Sequence, residues 1–143
     1  MSQVTVGGFE IVSLPEFGLE NVVAKIDTGA YSGAIHCTDI TVKKNSDGKS
    51  ELSFLTGGQG NSRYKTTNFT QKRVRSATGH EVERCLLTTK IVVQGKTYDV
   101  TIGVSDRSTL TFPVLIGRKF IRQQNMLIDV NQNSEHDPEG ARE

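Results

Sequence analysis

The stretch NVVAKIDTGAYSGAIH, residues 21–36, carries most of what this sequence says about its fold and chemistry. It opens on an apolar run, broken only by Lys25, in which Val22, Val23 and Ile26 are β-branched and favour an extended strand. A run this continuous predicts a strand buried on both faces. The run ends on Asp27. A carboxylate at the end of a buried strand is a poor packing choice, because an unpaired charge there is costly. Thr28 adds a hydroxyl, and Gly29 permits a tight turn and the close approach of a ligand or a second copy of the chain. Two such carboxylates sharing one proton can activate water against a peptide carbonyl. Read as a bare tripeptide, Asp27-Thr28-Gly29 is also a common turn capped by an aspartate.

The rest of the chain surrounds this stretch with strands. Val, Ile and Thr account for 38 of 143 residues and Ala for only five, a bias that favours pleated structure over helix. VTVGGFEIVSL (4–14) reads as two short strands around Gly7-Gly8, and Pro15 to Gly18 as a turn. In AIHCTDITV (34–42) the apolar residues Ile35 and Cys37 are out of phase with Ile40 and Val42, which predicts a bulge. An Asp-Gly turn in 43–50 leads to a strand at 51–55. Residues 72–93 read as a long hairpin turning at Ala77-Thr78-Gly79-His80. QGK (94–96) turns into TYDVTIGV (97–104), and FPVLIG (112–117) reads as another buried strand. RKFIRQQ (118–124) is the one helix expected, before a last strand at 125–130. The three glycines of TGGQGNSR (56–63) are not followed by Gly-Lys-Ser/Thr or a helix, so they make no phosphate cradle.

Length and charge narrow the function. One domain fits 143 residues, and a net charge of +1 gives no global support for nucleic-acid or membrane-surface binding. No apolar run approaches a membrane span, and no signal peptide is visible, so the plain reading is a cytoplasmic protein. The charge is unevenly placed. Residues 43–75 carry eight bases and two acids, whereas residues 1–42 carry five acids and one base. The basic segment is either a solvated face or an attractor of acidic ligands.

AKIDTGA (24–30) resembles the first signature of the retropepsin family of aspartic peptidases, and PVLIGRKFI (113–121) resembles its second. A longer likeness covers about residues 9–130. SLPEFGLENVVAKIDTGAYSGAIHCTDI (13–40) and the stretch from Ser76 to Ile121 resemble the bacterial and archaeal domain labelled ATP-dependent zinc protease. That family is associated with the ATP-grasp ligase that adds glutamates to a small-subunit ribosomal protein. Lys25, Ala34-Ile35-His36, Ser105-Asp106-Arg107 and Leu115-Ile116-Gly117-Arg118 fit its pattern.

The resemblance implies an all-β, acid-protease (retropepsin-like) closed barrel with one short C-terminal helix. It places the domain at residues 1–130 and a polar, frayed tail at 131–143. Asp27 would be the catalytic carboxylate, with Thr28 and Gly29 shaping its loop. Ala30, the flap-tip residues Thr78, Gly79 and His80, and Arg107 would face substrate. Ile116 and Gly117 would cross behind the loop, and Arg118 would anchor it. Retroviral members often carry an acid after the Ala, paired with that Arg; Tyr31 stands there in this chain, and the ligase-linked relatives usually have Arg.

The implied function is an aspartic peptidase that needs no cofactor. One chain supplies one Asp-Thr-Gly, so activity requires a homodimer with two copies of Asp27 facing each other. The substrate would be a peptide or protein, with acidic or glutamate-extended peptides favoured, in association with the glutamate-ligase system; no nucleic acid or membrane is implied. Two other readings stay open: a catalytically silent binding or adaptor module on the same fold, and a zinc-dependent hydrolase, as the label has it. The candidate zinc ligands are His36, Cys37, His80, Cys85 and His136. They form no HExxH or CxxC, and adjacent His36 and Cys37 on a strand point to opposite faces. No metal site is expected from them.

Overall fold

The computed structural model describes residues 3–56, 63–75, 79, 81–106 and 112–139. In chain order the strands are β1 (Thr5–Val6), β2 (Phe9–Leu14), β3 (Leu19–Ile26), β4 (Ala34–His36), β5 (Thr38–Lys44), β6 (Ser50–Leu55), β7 (Arg63–Thr66), β8 (Thr70–Arg75), β9 (Glu81–Val93), β10 (Lys96–Ser105), β11 (Val114–Ile116) and β12 (Leu127–Ile128). A single α-helix, α1 (Arg118–Gln123), lies between β11 and β12. A 3-10 turn, Pro15–Phe17, links β2 to β3 and stops at Gly18, whose φ of 69° is left-handed. No helix among the described residues is long and apolar enough to cross a membrane.

Six strands close on themselves in the order β10-β4-β11-β3-β2-β9, and β9 returns to β10 along an antiparallel ladder from Val93↔Lys96 to Leu86↔Gly103. Closure removes the free edges that an open sheet of these strands would leave. β8 extends this sheet by pairing with the first half of β9. β5, β6 and β7 form a separate antiparallel sheet, and β1 pairs in parallel with β12. The barrel interior is filled by fully buried aliphatic side chains, among them Val12, Leu14, Ile35, Ile91, Val100, Ile102, Val114 and Ile116. Helix α1 adds Phe120 and Ile121, and Phe120 meets Tyr98 edge-on at 5.7 Å. The β5-β6-β7 sheet packs Phe54 and Tyr64 against Phe17, and Thr56 Oγ1 donates to the Phe17 carbonyl at 2.8 Å.

The expected all-β barrel with one short helix is present, and the bulge expected near residue 37 falls where the chain leaves β4 for β5. The β5–β6 register shifts between Thr38 and Thr41, and Asp39 sits at φ 51°. The hairpin expected over 72–93 is β8–β9, with Gly79 at φ 86°; Ala77, Thr78 and His80 lie outside the described residues. Two expectations are corrected. β3 is not buried on both faces: Val22 and Val23 are half-buried and Lys25 is exposed, because only one face of a barrel strand points inward. The last strand is only two residues, since Asn125 turns the chain at φ 52° and Met126 closes back on the carbonyl of Ile121.

The polar segment after residue 130 is tied to the barrel through Asn133. Asn133 Nδ2 donates to the Phe9 carbonyl at 2.8 Å and to Glu10 Oε2 at 2.9 Å. Glu10 is buried, and its Oε2 also accepts the Gly7 N–H at 2.8 Å. A buried carboxyl is tolerable where donors converge on it, as they do here.

Candidate active site

The Asp27 loop is held from three sides by backbone. At the end of β3 the Ile26 N–H donates to the Gly8 carbonyl at 2.9 Å, and the Asp27 N–H donates to the Ile116 carbonyl of β11 at 2.8 Å. Asp27 then closes its own turn: Oδ1 accepts the Gly29 N–H at 3.0 Å, and the carbonyl accepts the Ala30 N–H at 3.1 Å. The loop next docks on the start of α1. Helix-start N–H groups have no partner within the helix, and here Arg118 N–H donates to Ala30 O at 2.9 Å and Lys119 N–H to Tyr31 O at 3.0 Å. The helix lacks a side-chain cap because the loop supplies its acceptors.

Two glycines make that contact possible. A Cβ on Gly117 would sit 2.3 Å from the Tyr31 carbonyl oxygen, and one on Gly33 would sit 2.3 Å from the Leu115 carbonyl oxygen. Gly33 also adopts φ 77°. The loop 27–33 and the stretch 115–118 therefore interlock with no space for side chains between them. Arg118 completes the clamp, with Nη1 donating to the carbonyls of Thr28 at 3.2 Å and Gly29 at 3.3 Å. Thus Asp27, Thr28, Gly29, Ala30, Ile116, Gly117 and Arg118 come together in one assembly. Asp27 and Ala30 are half-buried, and Thr28 and Gly29 are exposed. Of the expected substrate-side residues, Gly79 is described and exposed, while Thr78, His80 and Arg107 lie outside the described residues.

Tyr31 has a role the sequence did not suggest. Its ring is 46% exposed and has three cations around it: Arg118 Cζ at 5.4 Å from the centroid, Lys72 Nζ at 5.8 Å and Lys119 Nζ at 5.8 Å. Where retroviral relatives pair the helix-start Arg with an acid, this chain offers an aromatic face to the same guanidinium. The signal in the sequence was the departure at Tyr31 itself; the partners arrive from β8 and α1, remote in the chain.

Five bases of the segment 43–75 fall in two places. Lys43, Arg63 and Lys65 line an open cavity of about 310 Å³ on the β5-β6-β7 sheet, alongside Asp39, Thr41 and Glu51. There Arg63 is engaged, bonded to Asp39 and, at 2.7 Å, to Ser53 Oγ. Lys72 and Arg73 are exposed on β8.

The candidate zinc ligands are scattered. Cys37 and Cys85 are buried free cysteines, and burial pushes the Cys37 thiol up from 9.0 to about 12 against a smaller lowering by its backbone hydrogen bond with Ser105. His36, half-buried next to it, places Nδ1 3.8 Å from Asp106 Oδ1. His136 lies 3.8 Å from Glu135 in the C-terminal segment. His80 is outside the described residues. Among the described residues, no group of three or more His, Cys, Asp or Glu could hold a metal ion.

A closed six-strand barrel, with an Asp-Thr-Gly loop seated on a Gly-Arg helix start, defines a retropepsin-like domain. The chain belongs to the RimB-like family, that of the retropepsin-like aspartic endopeptidase RimB, whose sequence profile matches residues 5–139. Among curated proteins it is 24% identical over 129 residues to a "Probable alpha-L-glutamate ligase" of Desulfotalea psychrophila, covering 87% of this chain and 27% of that protein. A protein of the same name from Shewanella pealeana is 22% identical over 127 residues, covering 85% of this chain and 28% of that protein. The chain thus spans little more than a quarter of the curated relatives it matches. Its fold also matches the crystal structure of a Legionella pneumophila protein of unknown function (DUF785), with a TM-score of 0.69, 24% identity, and coverage of 90% of this chain and 94% of that one.

Proposed function

We propose that the chain is an aspartic peptidase whose active form is a homodimer, with the Asp27 side chains of two copies sharing one proton. The observation that carries this reading is the clamped Asp27 loop. Five backbone hydrogen bonds and the two bonds from Arg118 Nη1 hold the loop that presents a half-buried carboxylate at a strand end, next to exposed Thr28 and Gly29. In the dimer, the ionised Asp27 takes a proton from water as the water oxygen bonds to the peptide carbonyl carbon. The protonated Asp27 of the other copy gives its proton to the carbonyl oxygen. Collapse of the tetrahedral species then breaks the C–N bond, and the amine leaves with a proton returned from the dyad.

Acidic or glutamate-extended peptides are the substrates this reading favours. The likeness to proteins named as glutamate ligases and the exposed Lys72 and Arg73 of β8 both support that choice. On this reading the reaction takes place in the cytoplasm alongside a glutamate-ligase system, and any ATP use belongs to that ligase. The test is hydrolysis of a glutamate-extended peptide by the intact chain and by Asp27→Asn. The substitution is near-isosteric, so loss of hydrolysis in a folded variant is the expected result, and full activity would end the proposal.

A second reading has its own observation. The chain offers one Asp-Thr-Gly and sets Tyr31 where an acid would pair Arg118, as suits a monomeric binding module that is catalytically silent. A monomer that binds acidic peptides without cleaving them would establish it.

A further inference from the structure

We propose that Tyr31, Lys72, Arg84 and Lys119 form a carboxylate-binding subsite at the edge of the Asp27 loop, one that selects an acidic side chain of a bound peptide. The proposal rests on the peptidase reading for what the subsite serves, and on separate observations for its existence. The first is the gathering of cations around the exposed Tyr31 ring from β8 and from the start of α1. The second is the register of β8 on β9, which sets Lys72 directly opposite Arg84. Like charges on paired strand positions destabilise a sheet. The fold nevertheless concentrates them, and no ion pair involving Lys72, Arg84 or Lys119 occurs among the described residues.

The third observation ties Arg84 to the same loop. Its stem lies over Gly103, where a Cβ would come within 2.9 Å of Arg84 Cδ, and the Gly103 N–H donates to the carbonyl of Gly33 at 3.3 Å. Gly103 leaves room for that stem beside the segment that carries Tyr31. Arg118 Nη1 is already bonded to the Thr28 and Gly29 carbonyls, which ties that guanidinium to the loop. Lys72 and Lys119 keep their ammonium groups for an anion, and the Tyr31 hydroxyl is a donor within the same cluster. The contrast with the β5-β6-β7 cavity sharpens the assignment: there Lys43, Arg63 and Lys65 have Asp39 and Glu51 among them, so that cavity carries its own counter-charge.

The test uses labelled oligoglutamate and oligoglutamine peptides with the full chain carrying Asp27→Asn, read by fluorescence anisotropy at low salt. Oligoglutamate binds at least about tenfold more tightly than oligoglutamine, and Lys72→Gln with Lys119→Gln removes most of that difference, as expected for charge-assisted hydrogen bonds. Lys43→Gln with Lys65→Gln changes the net charge equally and lowers affinity by about twofold at most, through the long-range field alone. Unchanged melting temperatures keep the comparison free of folding effects. Equal losses in the two double variants, or indifference to Glu against Gln, overturns the subsite. Hydrolysis by the Asp27 chain without preference for Glu also overturns it and leaves the peptidase reading standing. Selective binding with no hydrolysis by the Asp27 chain supports the subsite and counts against the peptidase reading alone.

Discussion

At the scale of single residues, Asp27 and Cys37 lie at opposite extremes. Asp27 is half-buried and presented by its own turn; Cys37 is fully enclosed, with burial holding its thiol neutral to about 12. In the unfolded chain that thiol ionises near 9.0. Between these values the unfolded state has lost a proton the folded state keeps, so stability is complete below about 9 and falls as pH rises toward 12. The slope from this one group approaches about 1.4 kcal/mol per pH unit. Urea midpoints measured across that range should fall more steeply for the wild type than for Cys37→Ala; identical slopes would remove Cys37 as a cause. The same enclosure makes Cys37 a poor thiolate nucleophile or zinc ligand at neutral pH. If the chain hydrolyses peptides through Asp27, a chelator leaves the rate unchanged, and loss restored by zinc would favour the metal reading instead.

At the scale of elements, the interlock of loop 27–33 with 115–118 is the part of the fold least able to absorb change. Gly117→Ala would drive a Cβ into the Tyr31 carbonyl, 2.3 Å away, where both sides are backbone. The expected cost is about 3 kcal/mol or more, and if the chain is a peptidase its activity is lost even at temperatures where the variant stays folded. A melting temperature within error of the wild type would contradict the geometry. The C-terminal segment depends on a smaller contact. Asn133→Ala leaves the Phe9 carbonyl and Glu10 Oε2 without that donor, so a loss on the order of 2 kcal/mol is expected. Faster proteolysis after residue 130 should accompany it. Much of this level was legible beforehand. Alternation and turn residues located β2, β5, β9 and β10, and the slip at Cys37 marked a real change of sheet. What was hidden is whatever depends on distant pairing. The Lys72–Tyr31 contact joins positions 41 residues apart through the register of β8 on β9, and the hydrogen bond that serves buried Glu10 comes from Asn133, 123 residues away.

At the scale of the whole molecule, the decisive question is how many chains make one active site. Each chain contributes one Asp27, and a shared-proton dyad requires two. The adaptor reading and a metal hydrolase both work as monomers, so mixing experiments separate them from the peptidase. Wild type and Asp27→Asn are unfolded together, refolded at equal amounts and assayed at fixed total protein. Random pairing of identical surfaces leaves about a quarter of the dimers with two aspartates, because the substitution does not touch the backbone clamps that shape the chain. A dimer with one Asp and one Asn cannot both hold a proton and accept one from water, so it is inactive. The mixture should therefore show about a quarter of the activity of the same total amount of wild type, and the specific activity of wild type alone should fall on dilution as dimers dissociate. A monomeric catalyst that depends on Asp27 would retain about half, one that does not would retain all, and neither would show a dilution effect, because each chain then acts independently of its neighbours.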